Sequence, residues 1–192
     1  MSAPYLSVVV PAYNEELQLP STVRAVAAKL DELNVTYEII VVDDGSTDAT
    51  PERARELAAE NPRIRLERHP ENRGPGSGVF TGIELARGEF VIFIPADLAL
   101  DLDHLHKYLD ASRHADVVVG LRSDRRDYSL ARKFVSHVNI FLIRVLFGMK
   151  QRQFNYIHCY RRSVLRQLNI ESRGVFITAE IMIKAHDLGH TL

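Results

Sequence analysis

Residues 37–50 read YEIIVVDDGSTDAT. A short apolar, β-branched run stops abruptly at two aspartates, a glycine and three hydroxyl or carboxyl side chains. A continuous apolar run of this length is a strand buried on both faces, which is the habit of parallel sheets covered by helices. The same grammar recurs on either side. Residues 6–11 (LSVVVP) form a strand closed by Pro11 and followed by Ala12, Tyr13, Asn14 and Glu15. Residues 90–94 (FVIFI) form another, closed by Pro95, Ala96 and Asp97. Residues 64–68 read as a weaker, polar strand and 115–120 as a further one.

Helical spacing fills the intervals. Leu19, Val23, Val26, Leu30 and Leu33 predict a helix within 16–33, with Pro20 near its start, where helices tolerate proline. Residues 50–60, with Pro51 in the first turn, predict another. A glycine-rich loop at 72–78 leads into a helix ending near Arg87, and 103–113 suggests one more. Alternating strands and helices predict an α/β domain with a largely parallel sheet and helices on both faces. In such sheets ligands bind beyond the carboxyl ends of the strands, where the polar residues gather here. Residues 1–192 read as one domain.

The net charge is −1, from 24 Lys+Arg against 25 Asp+Glu. That balance gives no basis for a nucleic-acid binder held by bulk positive charge. It conceals a split. Residues 1–121 hold 11 basic and 20 acidic residues, whereas 122–173 hold 12 basic and 3 acidic. The single cysteine, Cys159, cannot form an internal disulfide, which fits a reducing compartment. No signal peptide is visible, and no apolar stretch reaches the roughly 18 residues of a membrane span.

Carboxylates at neighbouring strand ends can accept hydrogen bonds from a base or a ribose, or hold a hard divalent cation. Taken singly, Asp and Ser after strands are turn and cap residues; three such ends together point to a site. Asp101 and Asp103 resemble an Asp-x-Asp pair but precede a helix, where Asp caps backbone N–H groups. Gly74, Gly76 and Gly78 do not follow the G-x-G-x-x-G spacing of a dinucleotide fingerprint, and the strand before them is too polar for a central one. An oxidoreductase is thereby a weak alternative. His104 and His106, two apart, do not share a helix face, which disfavours zinc.

VVVPAYNEE (8–16), VVDDGSTDAT (41–50), NRGPGSGVFTGIELARG (72–88) and PAD (95–97) together resemble the family 2 glycosyltransferases of the GT-A fold. The likeness is greatest to polyprenyl-phosphate sugar transferases of the dolichyl-phosphate mannosyltransferase kind. It implies a nucleotide-diphosphate sugar donor of the GDP-mannose or UDP-glucose type. Pro11, Ala12, Tyr13, Glu15, Asp43, Asp44, Gly74, Ala96 and Asp97 would bind it. Asp97 would hold Mg²⁺ or Mn²⁺ as the last Asp of the family's metal motif, although Pro95 stands where the first Asp is expected. Arg122, Arg132 and Ser136 would hold the acceptor phosphate, with Asp97, Arg122 and Arg132 as the catalytic set. Glu180 matches the region where relatives with alcohol acceptors carry a base; as a first-turn Glu it also suits a helix dipole.

Residues 134–147 (FVSHVNIFLIRVLF) form a wide apolar helical face beside Arg132 and Lys133. Such a helix lies in a membrane interface, packs in a core, or meets a partner chain. The resemblance favours the membrane surface. It implies hexose transfer to a polyprenyl phosphate with inversion, a peripheral position on the cytoplasmic face, and a separate membrane-anchoring subunit or domain. It also implies further sequence past Gly189 and His190, so the chain reads as truncated at its C-terminus, with 1–121 the nucleotide-sugar half and 122–192 the acceptor half. The alternatives are a soluble family 2 enzyme acting on a glycan hydroxyl, and a degenerate nucleotide-sugar binder without turnover.

Overall fold

A computed structural model describes residues 3–98, 100–121, 130–154 and 156–192, and for residues 130–134 the backbone alone. Strands β1 (Leu6–Ala12), β2 (Tyr37–Asp43), β3 (Ile64–Arg68), β4 (Phe90–Phe93), β5 (Val117–Val119) and β6 (His158–Arg161) form one sheet in the order β3-β2-β1-β4-β6-β5. The first four in that order run parallel, and β6 lies antiparallel between β4 and β5. The helices are α1 (Leu19–Glu32), α2 (Thr50–Glu60), α3 (Pro75–Leu85), α4 (Leu105–Ser112), α5 (Leu130–Phe147), the single turn α6 (Arg162–Leu165) and α7 (Ile177–Asp187). Each of α1, α2 and α3 carries a proline in its first turn, where the missing N–H costs no hydrogen bond.

Side-chain alternation along the strands divides the core. Val8, Val10, Ile39, Val41 and Ile92 face one side, with Leu19, Val23, Val26 and Leu30 of α1, Leu57 of α2 and Leu105 of α4. Val9, Ile40, Val42, Val91 and Phe93 face the other, with Val79 and Ile83 of α3 and Ile177, Ile181 and Met182 of α7. Period two places successive residues on opposite faces, so a strand apolar at every position demands two cores.

The expected strands and helices of the first 120 residues are present. Two details differ. The glycine-rich run is half loop and half helix, because Pro75 starts α3. β6 was not expected: HCYR has no β-branched run, and only its pairing with Phe90–Ile92 and Val117–Val119 makes it a strand. Asp101 caps the 3-10 turn at Leu102–His104 by accepting from the Asp103 N–H at 3.0 Å, and Asp103 pairs with Lys29 at 2.9 Å. Both carboxylates are therefore architectural.

The buried base of the sheet is held by one carboxylate. Glu38 accepts from Ser7 Oγ at 2.7 Å, from the Arg87 N–H at 2.7 Å and from Arg65 at 2.7 Å. Burial pushes its pKa up, but these partners outweigh burial and hold it below the usual carboxylate value.

α3 reaches β1 through Gly82, where an added Cβ would lie 2.1 Å from Val9 Cγ1 and 2.7 Å from Val9 Cγ2. In an open helix Gly→Ala gains about 1 kcal/mol. Here Val9 is fully buried and cannot turn aside. Gly82→Ala is expected to destabilise by about 1–3 kcal/mol, the range for overpacking a core. A lower urea midpoint at unchanged slope checks this; a higher midpoint contradicts the close approach.

Candidate functional site

The register of the parallel strands assembles the site. Ala12 pairs with Asp43, so the loops after β1 and β2 leave the sheet side by side. Polar side chains of one loop then satisfy the backbone of the other. Ser46 Oγ accepts from the Asn14 N–H at 2.9 Å, Thr50 Oγ1 from Glu15 at 2.8 Å, and Asn14 Oδ1 from Thr47 at 2.9 Å. Glu16 returns the favour by accepting from the Ala49 N–H at 2.9 Å. Much of the DDGSTDAT run is thus spent on loop architecture. Gly45, at φ +74°, is required by the left-handed region and by Glu71 C, which lies 2.4 Å from where a Cβ would stand.

Beyond these loops lies a cleft of about 560 Å³. Pro11, Ala12, Tyr13 and Glu15 form one wall, with Asp44 and Gly74 beside them. These six expected residues come together. Asn72, Pro75, Gly78 and Val79 before and in α3, Phe93 and Pro95 at the end of β4, Tyr156 and Ile157 before β6, and Gly174, Val175, Ile177 and Thr178 at the start of α7 complete the lining.

Other expected residues sit differently. Asp43 is fully buried and outside the lining: one oxygen accepts from the Ser46 N–H at 3.0 Å. Its other oxygen lies 3.0 Å from Arg68 Nε, an ion pair whose angle falls short of a hydrogen bond. Ala96 is buried, and its carbonyl accepts from Thr22 Oγ1 at 2.6 Å. That contact anchors the tight turn from Pro95 to Leu98, where the Leu98 N–H donates to the Pro95 carbonyl at 3.0 Å. The turn leaves Asp97 exposed. Arg122 lies outside the described residues. Arg132 stands on the backbone of α5, one turn before Ser136, and its side chain too is outside them.

Asp44 faces the cleft, yet its carboxylate is occupied. Oδ2 accepts from the Gly74 N–H at 2.9 Å and Oδ1 from the Arg73 N–H at 3.1 Å. Oδ1 also meets His69 Nδ1 at 2.6 Å, and His69 Nε2 meets Thr81 Oγ1 at 2.8 Å. The chain Asp44–His69–Thr81 ties the loop before α3 to the helix itself. Nothing in the sequence around His69 marks it as a partner of Asp44, 25 residues away.

Glu15 senses neighbouring carboxylates. Its pKa is raised, first by burial and then by the like charges of Asp97 and Asp48. Among the described residues no group of three or more His, Cys, Asp or Glu side chains is arranged to hold a metal ion by itself. Glu15 in the cleft lining and the exposed Asp97, whose charge it senses, offer hard carboxylate oxygens, the donor type of a divalent cation that takes its remaining ligands from water and phosphate, although Asp97 itself does not line the cleft.

Glu180 does not line the cleft. Its oxygens accept from the Glu171 N–H at 2.9 Å, the Ser172 N–H at 2.8 Å and Lys184 Nζ at 2.6 Å. Burial raises its pKa, but these donors prevail and bring it down to about 2. A carboxylate so committed is a poor proton acceptor near neutrality.

The sequence pattern of Glycosyl transferase family 2 matches residues 7–171. The chain belongs to that family. It is 31% identical over 175 residues to the undecaprenyl-phosphate 4-deoxy-4-formamido-L-arabinose transferase of Aeromonas hydrophila, covering 90% of this chain and 54% of that protein. It is 36% identical over 141 residues to the dolichyl-phosphate beta-glucosyltransferase of Dictyostelium discoideum, covering 67% and 43%. The fold is similar to that of glucosyl-3-phosphoglycerate synthase from Mycobacterium tuberculosis, solved with Mn²⁺, UDP-glucose and phosphoglyceric acid. The TM-score is 0.73 at 23% identity, over 96% of this chain and 66% of that one. The architecture is the expected GT-A fold. The chain spans about half the length of the curated relatives it matches.

Replacing Asp97 by Asn removes a like charge from the Glu15 corner. The Glu15 pKa is expected to fall in Asp97→Asn, read by NMR titration of its carboxyl carbon. An unmoved value would separate the two side chains.

Proposed function

We propose that this chain transfers a sugar from a nucleotide-diphosphate donor to a polyprenyl phosphate, with inversion at the anomeric carbon. The observation that carries the reading is the cleft: the family's motif residues Pro11, Tyr13, Glu15 and Gly74 line one cavity at the carboxyl edge of the sheet. Two of the relatives are, by name, transferases acting with undecaprenyl or dolichyl phosphate, and a protein of the same fold was solved with a nucleotide sugar and Mn²⁺.

Tyr13 is 45% exposed beside the cleft, an available face for stacking a base. The backbone around Gly74 has no Cβ to obstruct the approach of a ligand. Asp97, supported by Glu15, would hold the divalent cation. When bound, Mg²⁺ or Mn²⁺ supplies charge stabilisation to the departing diphosphate.

An oxygen of the acceptor phosphate attacks the anomeric carbon, and the bond to the nucleoside diphosphate breaks. The phosphate has a second pKa of about 6 and is already ionised near neutrality, so no general base is required. The commitment of Glu180 to hydrogen bonds agrees with that economy. Arg122, Arg132 and Ser136 would bind and orient the acceptor phosphate, since guanidinium groups take phosphate bidentately.

α5 supports a lipid acceptor. Val135, Val138, Phe141, Leu142, Val145 and Leu146 are all exposed, while Ile143 is buried against the body. Among the described residues, no helix is long and apolar enough to cross a membrane. An exposed apolar helix flanked by basic residues suits the interface of an anionic bilayer on the cytoplasmic side.

Asp97→Asn is expected to lower transfer by about 100-fold or more, the scale of losing transition-state charge stabilisation. Lipid product from a panel of GDP-mannose, UDP-glucose and UDP-GlcNAc with a polyprenyl phosphate measures it; wild-type turnover in the variant would sink the metal assignment. Arg132→Ala should raise the KM for lipid well above any change in donor KM, and equal changes would count against the acceptor site. Phe141→Glu with Leu146→Glu should abolish flotation with anionic vesicles. Undiminished flotation would remove α5 from the interface.

A further inference from the structure

The cleft has two walls built the same way. On one side, the Asp44 carboxylate accepts from the consecutive N–H groups of Arg73 and Gly74, at 3.1 and 2.9 Å. On the other, the Glu180 carboxylate accepts from the consecutive N–H groups of Glu171 and Ser172, at 2.9 and 2.8 Å. A carboxylate has two oxygens and can take two adjacent amides, which holds a turn of backbone in one conformation.

The two held turns are joined. The Gly76 N–H, in the first turn of α3, donates to the Arg173 carbonyl at 2.9 Å. A Cβ at Gly76 would stand 2.5 Å from Arg173 C and 2.5 Å from the Gly174 carbonyl oxygen, so the backbones touch directly. The Arg173 guanidinium lies over the Phe80 ring of α3, 3.6 Å from its centroid, and donates to the Ile170 and Ser172 carbonyls at 3.0 and 3.1 Å. Gly74 and Pro75 from one turn, and Gly174 and Val175 from the other, then face the same cavity.

We infer that Glu180 is a positioning residue for the donor: it clamps residues 171–172 so that 173–175 close against the start of α3 and set the width of the cleft. The inference rests on the donor reading above and assigns Glu180 a task other than proton transfer. Lys184 serves the clamp. Its ammonium contacts Glu180 Oε1 at 2.6 Å and the Asn169 carbonyl at 2.5 Å, balancing a buried negative charge. With its pKa down to about 2, the group stays ionised throughout the neutral range and keeps both oxygens as acceptors.

Glu180→Gln distinguishes the roles. The amide keeps the size of the side chain but offers one acceptor oxygen, and its NH₂ confronts the other backbone N–H. The donor KM, and the Kd for nucleotide sugar by calorimetry, are expected to rise about 5- to 20-fold, corresponding to about 1–2 kcal/mol. kcat at saturating donor should stay within about threefold and the acceptor KM should not move. Glu180→Asp, which keeps both oxygens, should recover part of the donor affinity. Amide hydrogen exchange at Glu171, Ser172 and Gly76 should quicken in Glu180→Gln.

Gly76→Ala opens the same junction from the α3 side and should reproduce the donor-only defect with Glu180 intact. A fall of 100-fold or more in kcat at unchanged donor KM would overturn the inference in favour of a base. Unchanged exchange at those three amides would overturn the clamp. Failure of the wild-type chain to bind any nucleotide sugar would instead overturn the donor reading, while the exchange experiment still decides the clamp.

Discussion

β1 is paired along one edge with β2 and along the other with β4, and its side chains are buried on both faces. Its carbonyl end is consequently held by the sheet on both edges. The Asp44 N–H donates to the Ala12 carbonyl at 2.9 Å and the Ile94 N–H to the Val9 carbonyl at 2.9 Å, so the loops that follow all three strands start from positions set by this one. A one-residue slip would send Val8 and Val10 to the opposite core and shift every loop with them.

From that anchor the cleft is built mainly by polar groups that face the protein. Ser46, Asp48 and Thr50 satisfy the backbone of the loop after β1. Asp44 satisfies the loop before α3, and Glu180 the loop before α7. Buried or half-buried backbone donors are costly when left unpaired, and carboxylates repay that cost most strongly. What faces the cavity is largely apolar (Val79, Phe93, Ile157, Val175 and Ile177), with glycine backbone, the exposed Tyr13 and the half-buried Glu15 among them.

The charge split acquires a structural meaning in part. The acidic first 121 residues contain the cleft walls at Glu15 and Asp44 and the exposed Asp97. The basic stretch from 122 includes α5, most of whose described apolar side chains are exposed. Among its described side chains Ile143 is buried and Ile140 is packed partly buried against the same core, and a helix held along so narrow a line leaves most of its described apolar surface exposed. Near-zero net charge is the sum of an acidic stretch and a basic one.

The sequence by itself determined the α/β class, the strands from β1 to β5, the helices between them and one wall of the cleft. Those features are local: continuous β-branched runs, helical spacing, prolines in first turns, and polar clusters at strand ends. Tertiary structure alone decided the rest. It made HCYR a strand, because β6 exists through pairing with β4 and β5 and not through its own propensity. It buried Asp43 and spent Asp44 on backbone, although the two are adjacent in sequence and alike in chemistry. It brought Gly174–Thr178 to the cleft and turned Glu180 toward residues 171–172. Pairing, burial and the partner of a carboxylate depend on residues distant along the chain, and no local pattern encodes which of them will arrive.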